Sequence, residues 1–139
     1  MQLTRYTDYS LRVLMHLALN PEELGHISDI AESFNISRNH LIKVVNNLVK
    51  LGYVYSKRGR SGGLELAYEP ETLSIGEVVR VTEQNLEVVN CIEPACPFSS
   101  ACYLKSVLNQ ATEAFLSVLD DYTLADLIKN KKGLKQLLG

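Results

Sequence analysis

Apolar residues near the start of the chain recur at intervals of three and four, which is the spacing of an amphipathic helix. The pattern predicts a helix over Tyr6–Leu19, with Thr7 as its capping residue. A shorter segment predicts a second helix over Asp29–Phe34, capped by Ser28. A tight turn at Asn35-Ile36 then leads into a third helix.

The third predicted helix begins after a capping Ser37 and runs to about Leu51. Two short helices joined by a turn of three or four residues form a helix-turn-helix motif. Next along the chain, Tyr53–Tyr55 and Leu64–Leu66 flank a polar connection that contains glycine, which is the pattern of a β-hairpin. The sequence therefore predicts a winged helix-turn-helix domain over residues 1–70.

The third helix has an apolar stripe and a polar stripe. Leu41, Val45 and Leu48, spaced by four and three, form the inward stripe. The polar stripe suits a helix laid in the major groove of DNA, where Asn pairs with adenine and Arg with guanine. A merely solvated helix face is the alternative. The candidate DNA-binding residues of this helix are Arg38, Asn39, His40, Lys43, Asn46 and Lys50.

The predicted hairpin tip, residues 58–63, combines glycines with Arg58 and Arg60. It lacks the Gly-x-x-x-x-Gly-Lys-Ser/Thr pattern of a nucleotide-binding loop, and no helix follows it directly. Glycines allow a tight tip to approach a backbone closely. We therefore expect Arg58 and Arg60 to reach DNA phosphates or a narrow minor groove.

The charge distribution agrees with this interpretation. The net charge is only -2, yet residues 35–64 carry six basic residues and no acidic one. The segments on either side are acidic, and the last thirteen residues are basic again. A basic block inside an acidic protein is expected of an element that binds nucleic acid.

Composition limits the remaining classes of protein. Of the 139 residues 46% are hydrophobic and 22% charged, which permits a core and excludes wholesale disorder. No apolar run approaches the roughly 18–20 residues needed to span a bilayer, and we read no export signal, so a cytoplasmic protein without a membrane partner is expected. We find no Ser/His/Asp arrangement or nucleotide loop, and therefore expect no enzyme.

The second half of the chain predicts one long helix, Cys102–Tyr122, after a short helix that Ser74 caps and that ends at Val81. The long helix has a heptad-like seam formed by Leu104, Leu108, Ala111, Phe115, Val118 and Tyr122. Packing on its own domain is the alternative, but the winged helix looks complete without it, so we expect a homodimer. A dimer would set two recognition helices on a pseudo-palindromic operator in double-stranded DNA.

Residues 71–139 are expected to hold the dimerisation helices and a segment with three cysteines, Cys91, Cys96 and Cys102, which is the candidate cluster-binding loop. Thr123 is expected to cap a last short helix over Leu124–Lys129, followed by a basic tail. The whole chain is predicted to be mainly α, with a small β-hairpin wing.

Three cysteines, Cys91, Cys96 and Cys102, stand in a twelve-residue segment with the spacing Cys-x4-Cys-x5-Cys. Thiolates are soft ligands that suit iron–sulfur clusters or zinc. Structural zinc usually takes four protein ligands, and no nearby His supplies the fourth. A disulfide would leave one thiol over. Cluster binding is favoured, and an oxidation switch without a cluster remains the alternative.

The whole chain resembles the iron–sulfur-sensing winged-helix repressors of the IscR/NsrR type, and most closely their nitric-oxide-sensing branch. The resemblance rests on the cysteine trio and on the segments 1–4, 7–9, 36–41, 52–54, 58–63, 75–80 and 119–127. It implies a homodimeric repressor with one cluster per subunit, [4Fe-4S] or alternatively [2Fe-2S]. Nitric oxide would destroy the cluster and so release the DNA. The alternative function is an iron–sulfur or thiol-redox regulator of cluster biogenesis or of iron or cysteine metabolism.

The resemblance also concerns the fourth cluster ligand. The biogenesis branch has a His three residues after the third Cys, where this chain has Lys105, a poor ligand because it is protonated. In the nitric-oxide branch an Asp near the start of the first helix ligates the partner subunit's cluster, and Asp8 matches it. On the residues alone, Asp8 equally fits a first-turn acid or an ion pair with Arg12.

Overall fold

The computed structural model describes all 139 residues of the chain. Its helices are α1 (Arg5–Leu19), α2 (Ile27–Ser33), α3 (Arg38–Lys50), α4 (Ile75–Thr82), α5 (Tyr103–Asp120), α6 (Leu124–Leu127) and α7 (Lys131–Leu138). Two strands, β1 (Val54–Lys57) and β2 (Gly63–Leu66), form one antiparallel hairpin, and a 3-10 turn follows at Pro70–Thr72. The prediction of a mainly α fold with a small hairpin is confirmed.

The start of α1 differs from the prediction, because the capping residue is Thr4 and not Thr7. The Thr4 hydroxyl accepts a hydrogen bond from the backbone N–H of Thr7 at 3.4 Å. The hydroxyl of Thr7 is buried and donates instead to the carboxylate of Glu83, at 2.7 Å. A tertiary partner therefore takes the side chain that local sequence rules assign to the cap.

Helix α2 also begins earlier than predicted, at Ile27 rather than Asp29. Its first turn is held by the backbone carbonyl of His26, which accepts from the N–H groups of Asp29 and Ile30, each at 3.1 Å. Ser28 does not cap the helix, since its hydroxyl lies 3.4 Å from the Asp29 carboxylate. The predicted cap at Ser28 is wrong because the helix begins one residue earlier, so Ser28 lies inside its first turn.

The turn between α2 and α3 forms where it was predicted. Asn35 adopts a φ of 51°, in the left-handed region that Asn tolerates better than most residues. The next residue, Ile36, is buried and donates its N–H to the carbonyl of Ala31 at 2.9 Å. Ser37 takes the capping position of α3, although its side chain makes no capping hydrogen bond. The turn sets the direction of α3, and both α1 and α2 pack against α3.

One continuous core of 22 buried apolar residues holds the chain together. It includes Leu14 of α1 and Leu48 of α3, and equally Val78 of α4, Leu116 of α5 and Leu124 of α6. The apolar interior therefore crosses residue 70, the predicted domain boundary, and the division into 1–70 and 71–139 stays a prediction.

Helix α4 is clamped to α5 by a two-pronged ion pair between Arg80 and Asp120, whose second contact, Nη2 to Oδ2, measures 2.8 Å. The Asp120 carboxylate lies directly on the backbone of Gly76, where a Cβ atom would collide with it. The predicted cap at Ser74 is confirmed, since its hydroxyl accepts from the N–H of Glu77 at 3.4 Å.

The predicted seam of α5 divides between two faces of the helix. Phe115 and Leu119 pack against the core, and Leu108 is half-buried. An apolar stripe on another face is exposed and consists of Leu104, Val107, Ala111, Ala114 and Val118. The single seam was wrong in its membership, because apolar residues on the two faces together imitate one heptad pattern.

The end of the chain is more helical than predicted. Thr123 and Asp126 form a reciprocal capping box, which confirms the predicted cap of α6. Helix α6 ends at Leu127 rather than at Lys129, and the basic tail forms the further helix α7, capped by Asn130. None of the helices has the length and apolar character required to cross a membrane.

Candidate DNA-binding surface and cysteine loop

One face of α3 is fully available to a partner molecule. All six candidate residues of this helix are exposed, whereas Leu41, Val44, Val45 and Leu48 are buried on the opposite side. None of the chain's four ion pairs includes Arg38, Lys43 or Lys50. The positive charge of α3 is therefore not neutralised within the chain. The sequence-predicted residues at this face are Arg38, Asn39, His40, Lys43, Asn46 and Lys50.

The hairpin wing adds two further free cations at its tip. Arg58 and Arg60 are exposed and unpaired, while Lys57 at the end of β1 is bound to Glu65 at 3.0 Å. Gly59, between the two arginines, adopts a φ of 102°, which an L side chain rarely takes. The tip therefore presents both guanidinium groups without an acidic neighbour to hold them.

Helix α1 faces helix α3 at two places that the sequence did not indicate. The ring of Tyr9 lies 6.4 Å from the ring of His40, measured between centroids. The hydroxyl of Tyr6 is buried without a hydrogen-bond partner, and this burial raises the pKa of Tyr6 above its ordinary value of 10.0, an effect that the nearby side chain of Asn47 in α3 partly offsets. Tyr9 is adjacent to Asp8 and Tyr6 lies two residues before it, so the first turns of α1, which carry Asp8, also face α3.

The three cysteines lie in the segment between α4 and α5, which contains no regular secondary structure before Tyr103. All three thiols are free and half-exposed. Within the loop, the N–H of Cys96 donates to the carbonyl of Cys91 at 3.2 Å, and that of Ser99 donates to the carbonyl of Cys96 at 3.1 Å. Cys102 occupies the capping position of α5. The cysteine loop, residues 91–102, is thus a set of turns joined end to end.

The residue types of the cysteine loop are those that bind an iron–sulfur cluster. Three thiols are the soft ligands that cluster iron prefers. No three His, Cys, Asp or Glu side chains of the chain, however, are gathered closely enough to hold a metal ion. The thiols are therefore not gathered around a single metal ion, whereas in a cluster each thiolate would bind a different iron.

Asp8 is engaged in a local ion pair. Its two carboxylate oxygens accept from Nε and Nη2 of Arg12, each at 2.8 Å. Both side chains are about two-fifths exposed. The guanidinium carbon of Arg12 also lies 5.8 Å from the centroid of Phe34, the residue that ends α2. The ion-pair interpretation of Asp8 is confirmed, and cluster ligation stays a prediction.

His16 lies further along the same face of α1, with its ring edge-on to Phe34 at 6.2 Å between centroids. Burial lowers the pKa of His16 below 6.5, which the nearby carboxylate of Asp29 partly offsets. Phe34 is therefore enclosed by two residues of α1, directly before the turn that leads into α3.

Glu83 is a functional candidate that the sequence did not reveal. It ends α4 and is only 8% exposed, and it is the one charged residue among the buried residues of the chain. Its oxygen Oε2 accepts hydrogen bonds from Thr4 and Thr7 at the start of α1. No local pattern marks this contact, because 76 residues separate Thr7 from Glu83.

Comparison with known proteins agrees with this architecture. Residues 3–130 match the family model described as Rrf2, an iron-dependent transcriptional regulator. The chain is 53% identical over 142 residues to the HTH-type transcriptional regulator NsrR of Bacillus subtilis, covering 99% of this chain and 97% of that protein.

Two solved structures are also similar. T. potens IscR superposes with a TM-score of 0.76 at 29% identity, covering 94% of this chain and 88% of that one. CymR, the global cysteine regulator of B. subtilis, superposes with a TM-score of 0.74 at 28% identity, covering 94% and 98%. The predictions of a winged-helix fold and of a DNA-binding transcriptional repressor of the NsrR type are confirmed. The chain belongs to the Rrf2 family of iron-dependent transcriptional regulators.

Proposed function

We propose that this protein is a homodimeric repressor whose operator binding depends on an iron–sulfur cluster and ends when nitric oxide destroys that cluster. The observation that carries the proposal is the cysteine loop, where three free, half-exposed thiols stand in one irregular segment. The similarity to NsrR of B. subtilis supports the nitric oxide signal.

Cys91, Cys96 and Cys102 would hold the cluster, and Asp8 of the partner subunit would be its fourth ligand. We favour [4Fe-4S], with [2Fe-2S] as the alternative. When bound, the group supplies an iron whose carboxylate ligand is weaker than a thiolate and which is therefore open to nitric oxide. Lys105, in the first turn of α5, would not serve as a ligand because its ammonium has no free electron pair.

The Asp8–Arg12 pair suggests how cluster occupancy would reach the DNA-binding surface. If the carboxylate of Asp8 turns toward a cluster, it gives up at least part of its two hydrogen bonds to Arg12. Arg12 then rests mainly on Phe34, at the end of α2. Loss of the cluster would return Asp8 to Arg12. The switch would thus alter the contact between Arg12 and Phe34, the residue directly before the turn into α3.

The exposed apolar stripe of α5 supports the homodimer. Leu104, Val107 and Val118 are 60%, 42% and 58% exposed, although they lie on one face of a helix. An apolar helix face left in water is unfavourable, and a second copy of α5 would cover it. The two-fold symmetry would place two copies of α3 on one side of a DNA duplex.

The candidate residues of α3 and of the wing would then contact the operator. Their exposure and the absence of acidic partners support this role. We assign the polar residues of α3 to base edges and phosphates, and Arg58 and Arg60 to the backbone or a narrow minor groove.

The test is anaerobic purification followed by titration with nitric oxide, with cluster absorbance and DNA affinity read on the same samples. We expect both signals to fall together. Replacing Cys91, Cys96 or Cys102 with Ala is expected to abolish both, whereas Ser99→Ala in the same loop is expected to change neither. Tight operator binding by a triple-cysteine variant would refute cluster control.

A thiol-redox regulator is the second candidate, favoured by the half-exposed free thiols and by the similarity to the cysteine regulator CymR. It predicts colourless anaerobic protein whose DNA affinity responds to peroxide and recovers with dithiothreitol. Brown protein with about four irons per chain would exclude it.

A further inference from the structure

The carboxylate of Glu83 is a buried charge without a cation. None of the chain's four ion pairs includes it. Its oxygen Oε2 instead accepts from the backbone N–H of Thr4 at 2.9 Å, from the Thr4 hydroxyl at 3.1 Å and from the Thr7 hydroxyl at 2.7 Å. Burial of an ionised carboxylate is costly unless hydrogen bonds replace its water. These three bonds are the compensation, so Glu83 is held to this location.

The partners of Glu83 lie at the N-terminus of α1. Thr4 is the capping residue of that helix, and the positive end of the helix dipole favours an anion there. If this first turn moved away, the Glu83 carboxylate would remain buried without hydrogen-bond donors, which is more unfavourable than losing an ordinary contact. The hydrogen bonds of Glu83 therefore oppose small movements of the start of α1 relative to the end of α4.

Two functional elements meet at this contact. On one side, Glu83 ends α4 and begins the segment that leads to Cys91. On the other side, the carbonyl of Thr4 accepts from the N–H of Asp8 at 3.0 Å. Glu83 thus connects the base of the cysteine loop with the turn that carries the candidate fourth ligand.

We propose that Glu83 is a positioning residue that fixes the first turn of α1 against the base of the cysteine loop and so sets where Asp8 is presented. In a dimer, each Asp8 would reach the partner's loop only while its own α1 holds this position. The effect on cluster ligation by Asp8 rests on the proposed function, whereas the fixing of the first turn of α1 by Glu83 does not.

The first experiment tests the hold on α1 in cluster-free protein. Glu83→Gln keeps the shape and removes the charge, and Thr7→Val removes the shortest hydrogen bond at nearly constant volume. Both variants are expected to speed amide-hydrogen exchange in the first turn of α1 by about tenfold, the effect of one lost charge-assisted hydrogen bond. Glu87→Gln, an exposed acid in the same segment, is the matched control. Unchanged exchange in both test variants would overturn the proposal.

The second experiment tests whether Glu83 acts through Asp8. Cluster loss to a chelator is timed by visible absorbance in the parent, Glu83→Gln, Asp8→Ala and the double variant. We expect Glu83→Gln to shorten the cluster lifetime several-fold in the parent background and to have no further effect beside Asp8→Ala. An equal shortening in both backgrounds would show a general destabilisation and overturn the positioning role. If the parent takes up no cluster, the proposed function fails and the coupling to Asp8 fails with it, while the exchange result still decides the hold on α1.

Discussion

The two arginines at the tip of the wing allow a quantitative test of the DNA-binding surface. Arg58 and Arg60 are exposed and belong to none of the chain's ion pairs, so each is free to neutralise one phosphate. A dimer would carry four such cations. Each phosphate contact contributes about 0.9 to the slope of log affinity against log salt. Removing all four with Arg58→Ala and Arg60→Ala is therefore expected to flatten the slope by roughly 3.6.

The assay is fluorescence anisotropy with a duplex selected from a random library for tight binding to the parent protein, repeated at several salt concentrations. The control is the Lys131→Ala, Lys132→Ala variant, which loses the same net charge from exposed positions of α7. This control shows how much of the change in slope comes from the loss of net charge alone, and how much from losing the charge at the wing. A slope equal to that of the parent, or an equal change in the control, would remove the wing from the contact surface.

Three further predictions concern stability and assembly. Gly76→Ala places a Cβ in the position of the Asp120 carboxylate, so the half-exposed Arg80–Asp120 ion pair must move aside, and we expect a loss of at most about 1 kcal/mol in thermal or urea unfolding, while Val81→Ala on the exposed side of α4 changes little. Hydrogen bonds from Lys129 and Thr123 lower the pKa of Asp126 from 3.8 to about 2. The resulting stabilisation is present above pH 3.8 and is lost as the pH falls toward 2, so Asp126→Asn should flatten this part of the melting-temperature profile relative to the parent protein. Val118→Lys, on the exposed apolar stripe of α5, is expected to yield monomers in sedimentation experiments, and a dimer as tight as that of the Ser117→Lys control would refute the assigned interface.

Local signals predicted several elements along the chain correctly. The turn at Asn35, the caps at Ser74 and Thr123, and the apolar face of α3 depend on residues only a few positions apart. Such interactions form within one or two helical turns, so the sequence pattern contains both partners. Because the apolar face of α3 is buried, its polar residues lie on the opposite, exposed face, as the spacing predicted.

Long-range contacts account for two of the errors. Thr7 has the chemistry of a capping residue, but its hydroxyl is bound to Glu83 on another helix. The α5 seam failed because residues that pack on the core and residues that face solvent together imitate one heptad series. Neither a spacing nor a residue type distinguishes these cases when the partner is distant in sequence.

The sequence by itself determined the helix-turn-helix, the wing, the basic block and the trio of thiols, because each depends on residue type and short-range periodicity. Only the tertiary structure decided that Asp8 is bound by Arg12, that the apolar core continues across residue 70, and that a lone buried carboxylate joins α4 to the start of α1. The physical reason is burial: it selects partners by proximity in space, and it makes a charge such as that of Glu83 depend on groups far away in the chain.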